Sequence, residues 1–339
     1  MRVRDATLGD APAITTVHTS NVEHWVRTSP SSSPTELSYG ELSVAERFAH
    51  GGPWMSVETC AIHLNQLLLA GQSALVVEDE SGGVQGELEI LTHDEVPWGR
   101  TSHFSVVYVE RTHHRQGFGG ALLRAGLARS RAEEAVLSTV VPALGVDGFY
   151  RRWGFDRTVA RLQEVEIPVG EAQPAARGTE CRPGPLPAYE HLARLPFVLG
   201  RYQSPFTQWL LWQHRLAGVT TRLRRDSGRF SGLDAYYTLE EYFLEPSMAV
   251  LQAWSADPGD LGGILDAAKH RAGTLGFRTI ATAATLEGLE GLRGMEMRRA
   301  SQFVFLGHDG SPADGLERPA DETAEPNATV APRSVVPDA

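Results

Sequence analysis

The chain has 339 residues, long for one small domain and suited to two of ordinary size, and its 42% apolar and 22% charged residues are those of a globular protein rather than a disordered one. Much of the formal charge of −11 comes from residues 309–339, where seven acids face two arginines; no basic patch stands out elsewhere, so nucleic acid is not an expected partner. No run of 18 apolar residues predicts a membrane span, the first residues carry no apolar signal core, and two cysteines make neither a disulfide framework nor a four-ligand zinc site. A cytoplasmic protein without a metal is expected.

In chain order, residues 3–6 suggest a short strand. Asp10 is placed to cap a helix with Pro12 in its first turn, and Ala13, Ile14 and Val17 then recur at helical spacing. Residues 28–35 read as a Ser/Pro loop, and 43–49 and 57–70 as helices. Two apolar runs, 74–79 and 84–90, flank a Gly-containing turn and predict a hairpin. The β-rich strand containing Phe104, Val106, Val107, Tyr108 and Val109 follows. It enters a glycine-rich turn and a helix over about 119–133. A strand over 136–141, a short helix over 146–153 and a last strand over 155–167 complete a mixed α/β unit.

The turn is the most informative stretch. His113-His114-Arg115-Gln116-Gly117-Phe118-Gly119-Gly120 joins a strand to a helix, so its backbone N–H groups and the positive helix end can face a phosphate. Gly117 and Gly119 let the backbone approach a ligand where a Cβ would clash. It is not a dinucleotide fingerprint, because Leu122 stands where the third glycine belongs. No P-loop run is present, and His113-His114 lacks the spacing of a metal pair.

Together with Tyr150-Arg151-Arg152-Trp153-Gly154-Phe155 downstream, the turn resembles the GNAT superfamily of acetyl-CoA-dependent N-acetyltransferases. Their acyl-CoA loop reads Arg/Gln-x-x-Gly-x-Gly/Ala and their later motif Tyr-x-x-x-Gly-Phe. His114 departs from that pattern, standing where the family prefers Arg or Gln. The resemblance covers residues 1–167. It implies acetyl-CoA as co-substrate and a primary amine, expected to be a small molecule, as acceptor. It also implies pyrophosphate binding by the loop from His114 through Arg115, Gln116, Gly117, Phe118 and Gly119 to Gly120. The main-chain N–H groups of Val107 and Val109 would hold the pantetheine arm and polarise the thioester carbonyl.

Tyr150 is the candidate general acid, since a phenol can protonate a departing thiolate at neutral pH. The base is open. His103 falls near the start of the central strand, and strand parity would place it on the face of Val107 and Val109. Glu87 and Glu89 on the neighbouring strand are rivals, and a water chain serves in many members of the family. A non-catalytic acyl-CoA-binding protein and a protein N-acetyltransferase are the alternatives.

Beyond a Pro/Gly-rich linker at 168–187 the pattern repeats over 188–308. Residues 219–225 and 230–238 read as a hairpin about 226–229, 247–253 as an apolar strand, 257–265 as a turn entering a helix, and 280–282 as a strand. This predicts two tandem GNAT-like domains, the second degenerate. With Ile264-Leu265 set on Leu122-Leu123, Leu261 replaces Gly119, Asp257 and Asp260 flank the turn, and Glu290 falls on the Tyr150 position. Two carboxylates beside a pyrophosphate would repel it. Residues 309–339 are expected to be a disordered tail. The oligomeric state is not fixed by any of these features.

Overall fold

The computed structural model describes residues 1–29, 32–143, 145–170, 179–200, 204–216, 218–290, 292 and 295–309. The N-terminal half runs β1 (Arg2–Asp5), α1 (Ala11–Thr19), a small hairpin of β2 (Val26–Ser29) and β3 (Ser32–Glu36), α2 (Val44–Phe48) and α3 (Val57–Leu69). It continues with β4 (Ser73–Glu78), β5 (Val84–Glu95), β6 (Gly99–Val109), α4 (Phe118–Ala132), β7 (Leu137–Val140), α5 (Asp147–Arg152) and β8 (Arg157–Pro168). The C-terminal half runs β9 (Cys181–Pro183), α6 (Tyr189–Leu192), β10 (Phe197–Leu199), α7 (Pro205–Gln213), β11 (Arg225–Phe230), β12 (Ala235–Tyr242) and β13 (Glu245–Ser255). Then come α8 (Leu261–Thr274), β14 (Thr279–Thr285), α9 (Leu286–Glu290) and β15 (Arg298–Asp309). This is the mixed α/β fold that the sequence predicts.

All strands but the β2–β3 hairpin belong to one sheet, ordered β1-β4-β5-β6-β7-β15-β8-β14-β13-β12-β11-β9, with β10 against β13. Read from either edge, the pairings are the same: three antiparallel, one parallel, then antiparallel to the centre. The parallel pairs are β6–β7 and β13–β14. The central strands are exchanged. β8 ends the N-terminal half yet pairs with β14, while β15 ends the C-terminal half yet pairs with β7.

The cores are exchanged as well. On one face, α4 lays Leu122, Leu123 and Leu127 on Leu88, Ile90, Phe104 and Val107, and Leu306 of β15 joins them. Gly126 allows this approach, because a Cβ there would stand 2.5 Å from Leu88 Cδ2. On the other face, Ile14 of α1 and Leu64 and Leu67 of α3 share a core with Tyr189, Leu192, Phe206, Leu210 and Trp254 of the C-terminal half. Strand β5 is therefore covered on both faces, and Gly86 to Thr92 are buried without a break.

Four readings of the sequence change. Residues 26–36 form a hairpin where a loop was expected. Asp10 begins α1 without capping it: its carboxylate accepts from the Thr7 N–H and Oγ1 and from Arg4, which closes the preceding 3₁₀ turn instead. Part of the expected linker is strand, since β9 pairs with β11; residues 171–178 of that linker, and the tail from 310, lie outside the described residues. The later hairpin turns at 231–234, not at 226–229. Gly228 is not a turn glycine. It admits β9, whose Arg182 carbonyl would stand 2.1 Å from a Cβ there.

Candidate functional site

The site begins where two strands part. β6 and β7 pair only from Thr101–Phe104 against Leu137–Val140, so among the described residues the rest of β6 has no strand on that side. The Glu110 N–H donates to Gln85 O (2.8 Å), toward β5. Alternation along an antiparallel strand then turns the N–H groups of Val107 and Val109 the other way, into the gap. The Val109 carbonyl on that edge accepts from Asn21 Nδ2 (3.0 Å) at the end of α1 and from His114 Nε2 (3.0 Å).

The glycine turn closes the gap from above. Arg115 (φ 60°) and Gly117 (φ 88°) both take the left-handed conformation, which Gly117 adopts at no steric cost. Gly117 is the N-cap of α4 and offers no side chain, so no side-chain cap satisfies the first-turn N–H groups of Phe118, Gly119 and Gly120. The uncapped start of this 15-residue helix, behind a left-handed turn, has the geometry that suits an anion. Gly120 has a packing reason besides, because a Cβ there would stand 2.7 Å from Trp153 Cζ2. His114 bonds to the Val109 carbonyl, and the exposed Gln116 donates to the Thr112 carbonyl (2.8 Å). These two contacts brace the loop.

Tyr150 sits on α5, buried beside Phe149 and Phe155. Burial, and then the nearby Tyr108 phenol, push its pKa above the ordinary phenol value, so it is held protonated. The Gly-Phe that follows is a helix stop. Gly154 (φ 83°) is left-handed, and the Phe155 N–H returns to the Tyr150 carbonyl (3.2 Å). The buried Phe155 ring anchors it, and Tyr150 shares its core with Val107, Val109 and Phe155.

His103 is not on the face of Val107 and Val109. A bulge between Phe104 and Val106 shifts the register against β5, so His103 pairs with Leu91 and faces the same way as Val106 and Tyr108. It is buried, with Nδ1 on Thr139 Oγ1 (2.9 Å) and its ring against Phe305.

That opposite face carries what the sequence reading named only in part. Glu87 and Glu89 point the same way from β5 and are each 1% exposed. His18 of α1 bonds Glu87 Oε2 through Nε2 (2.7 Å). Glu89 Oε1 accepts from Trp54 Nε1 (2.8 Å) and pairs with His63 Nε2 of α3 (2.9 Å); His63 Nδ1 faces His214 Nδ1 (3.3 Å), just past α7. The rings form one row. Tyr108–His18, His18–Trp54, Trp54–His63 and His63–His214 centroids are 4.2, 5.1, 5.1 and 5.1 Å apart. Burial, then the His63 charge, lowers His18 to about 3, and lowers His214 likewise to about 3. Burial, then Glu89, raises Glu87 well above the carboxylate range. His18 and Glu87 each favour the neutral state, so their contact is a hydrogen bond more than an ion pair. Among the described residues no group of three or more His, Cys, Asp or Glu is arranged to hold a metal ion.

The corresponding gap in the C-terminal half is filled. β13 and β14 pair only over Met248–Val250 and Thr279–Ala281, and beyond that point β10 pairs with β13 while the Gly200 N–H donates to Ala283 O (2.9 Å). The turn before α8 is bonded to itself: Asp257 Oδ1 accepts from the Gly259 N–H (2.8 Å), while Asp260, the N-cap, makes no side-chain cap hydrogen bond.

Residues 70–157, which hold β4 to α5, match the family model of the acetyltransferase (GNAT) domain. That stretch, which holds the parted strands and the glycine turn, is similar to a GNAT acetyltransferase domain. Solved structures agree over a longer span. A GCN5-related N-acetyltransferase from Anabaena variabilis is 13% identical with a TM-score of 0.61, covering 91% of this chain and 72% of that one. A second, from Kribbella flavida, is 15% identical with a TM-score of 0.56, covering 90% and 71%. At such identities the likeness is one of fold, and it runs through both halves. No curated protein matches the chain. No helix among the described residues is long and apolar enough to cross a membrane.

Proposed function

We propose that the protein is an acetyl-CoA-dependent N-acetyltransferase acting on a primary amine of a small molecule, by direct attack within a ternary complex. The observation that carries this reading is the gap between β6 and β7, bordered by the Val107 and Val109 N–H groups and closed by the uncapped start of α4. The strand N–H groups hold the pantetheine and polarise the thioester carbonyl, and the turn takes the pyrophosphate. The amine nitrogen attacks the carbonyl carbon and the C–S bond breaks. Tyr150 protonates the leaving thiolate, and the proton shed by the new amide nitrogen restores the phenol. The C-terminal half is a degenerate copy without a cofactor site of its own; its filled gap and self-bonded turn support this.

Thiol release from acetyl-CoA in the presence of a primary amine tests the reading. Tyr150→Phe is expected to lower kcat by roughly 10²-fold with acetyl-CoA affinity retained. Unchanged turnover in that variant removes Tyr150 from the mechanism.

A further inference from the structure

The row of rings lies against the transfer gap. Asn21, at the end of α1, contacts the Val109 carbonyl, and His18, one turn earlier, stacks on Tyr108. Two buried carboxylates stand here, and among the described residues the polar partners of Glu87 and Glu89 are His18, His63 and Trp54, with no lysine or arginine. His18 Nδ1 and Glu87 Oε1 are buried without a hydrogen-bond partner. Unpaired buried polar atoms on a carboxyl group and its histidine partner are costly unless a ligand answers them, and the ligand that answers both, and that would favour the ionised form of Glu87, is a cation that donates hydrogen bonds.

We propose that His18 and Glu87 form the acceptor end of the site, binding a cationic primary amine that carries no carboxylate next to its nitrogen, and receiving the proton its ammonium must lose. This rests on the acetyl-transfer reading above. In the competent state His18 donates Nε2–H to ionised Glu87, and its Nδ1 lone pair meets the ammonium. The ammonium gives a proton to Nδ1 as the Nε2 proton passes to Glu87, so a cation and an anion become a neutral amine and a neutral carboxylic acid. The amine lone pair is then free to attack. Glu87 suits the terminus, because its surroundings favour the protonated acid. The groups facing the pair are Tyr108 on β6, Glu89 on β5, Cys60 and His63 on α3, and His214 beyond α7. A carboxylate beside the amine would be driven against Glu87 and Glu89.

The test is thiol release by the full chain with matched probes: 2-phenylethylamine against phenylalanine, tyramine against tyrosine, and tryptamine against tryptophan. Acetyl-CoA binding is measured in parallel. The decarboxylated member of at least one pair is expected to be favoured in kcat/KM by about 10²-fold or more, the scale on which a site rejects a group it leaves unanswered. Glu87→Gln and, as a second variant, His18→Gln are each expected to lower kcat roughly 10²-fold, keep acetyl-CoA affinity and flatten the acidic limb of the pH–rate profile. Equal use of amine and amino acid, no turnover of any of the three amines by a protein that binds acetyl-CoA, or an intact limb in both variants overturns the assignment and leaves the acetyl-transfer reading standing. Failure to bind acetyl-CoA overturns both.

Discussion

Single residues here do work that their neighbours decide. His18 and His214 are ordinary histidines until α1, α3 and the C-terminal half close over them, and burial then lowers both to about 3. The consequence for stability has a fixed sign. A histidine held neutral when folded and near 6.5 when unfolded contributes stability above pH 6.5, and loses it as pH falls toward 3, because the unfolded chain takes up more protons in that window. Urea denaturation at pH 7 and pH 4.5 is expected to show a lower midpoint at pH 4.5. His214→Phe should narrow the difference, and an unchanged difference would show that His214 does not carry it. Little of this row is legible in the sequence. Glu87 and Glu89 alternate with Leu88 and Ile90 and look like the wet face of a hairpin, and only the helices packed across that face make them buried. The residues of the row around them, His18, Trp54, His63 and His214, are spread over 196 positions, with no spacing to betray them.

At the scale of elements, the turn and helix are the legible part. The glycines of 117–120 are set by left-handed backbone at Gly117 and by Trp153 at Gly120, which are local causes that leave a local pattern. Gly126 is a contact between elements. Placing leucine there drives a side chain into Leu88 and Phe104 and lifts α4 off the sheet, at an expected cost of about 1–3 kcal/mol by denaturant unfolding. Wild-type stability in Gly126→Leu would show that α4 does not pack as closely as described. His103 shows where element reasoning fails. Counting by twos along β6 puts it beside Val107, and one bulged residue, which no composition announces, turns it to the other face.

At the scale of the whole molecule, the two halves are not beads on a string. β15 fills the slot between β7 and β8, and the α1–α3 core is completed by Tyr189, Phe206 and Trp254. A fragment ending after β8 would leave the β7 edge open and that core half-built. Residues 1–170 expressed alone are expected to be insoluble or associated by light scattering, and a monomeric, cooperatively folding fragment would contradict the exchange. A linear reading that expects two units at 1–167 and 188–308 has no means to find the exchange, because which half each final strand joins is a pairing between distant segments. The proposed function, with a gap that is open in one half and filled by β10 in the other, predicts one acetyl-CoA per chain. Calorimetric titration of the full chain with acetyl-CoA, beside a Gly117→Asp/Gly119→Asp variant, tests this most directly. The account predicts a single site per chain that the variant abolishes; two sites, or binding that survives the substitution, would contradict it.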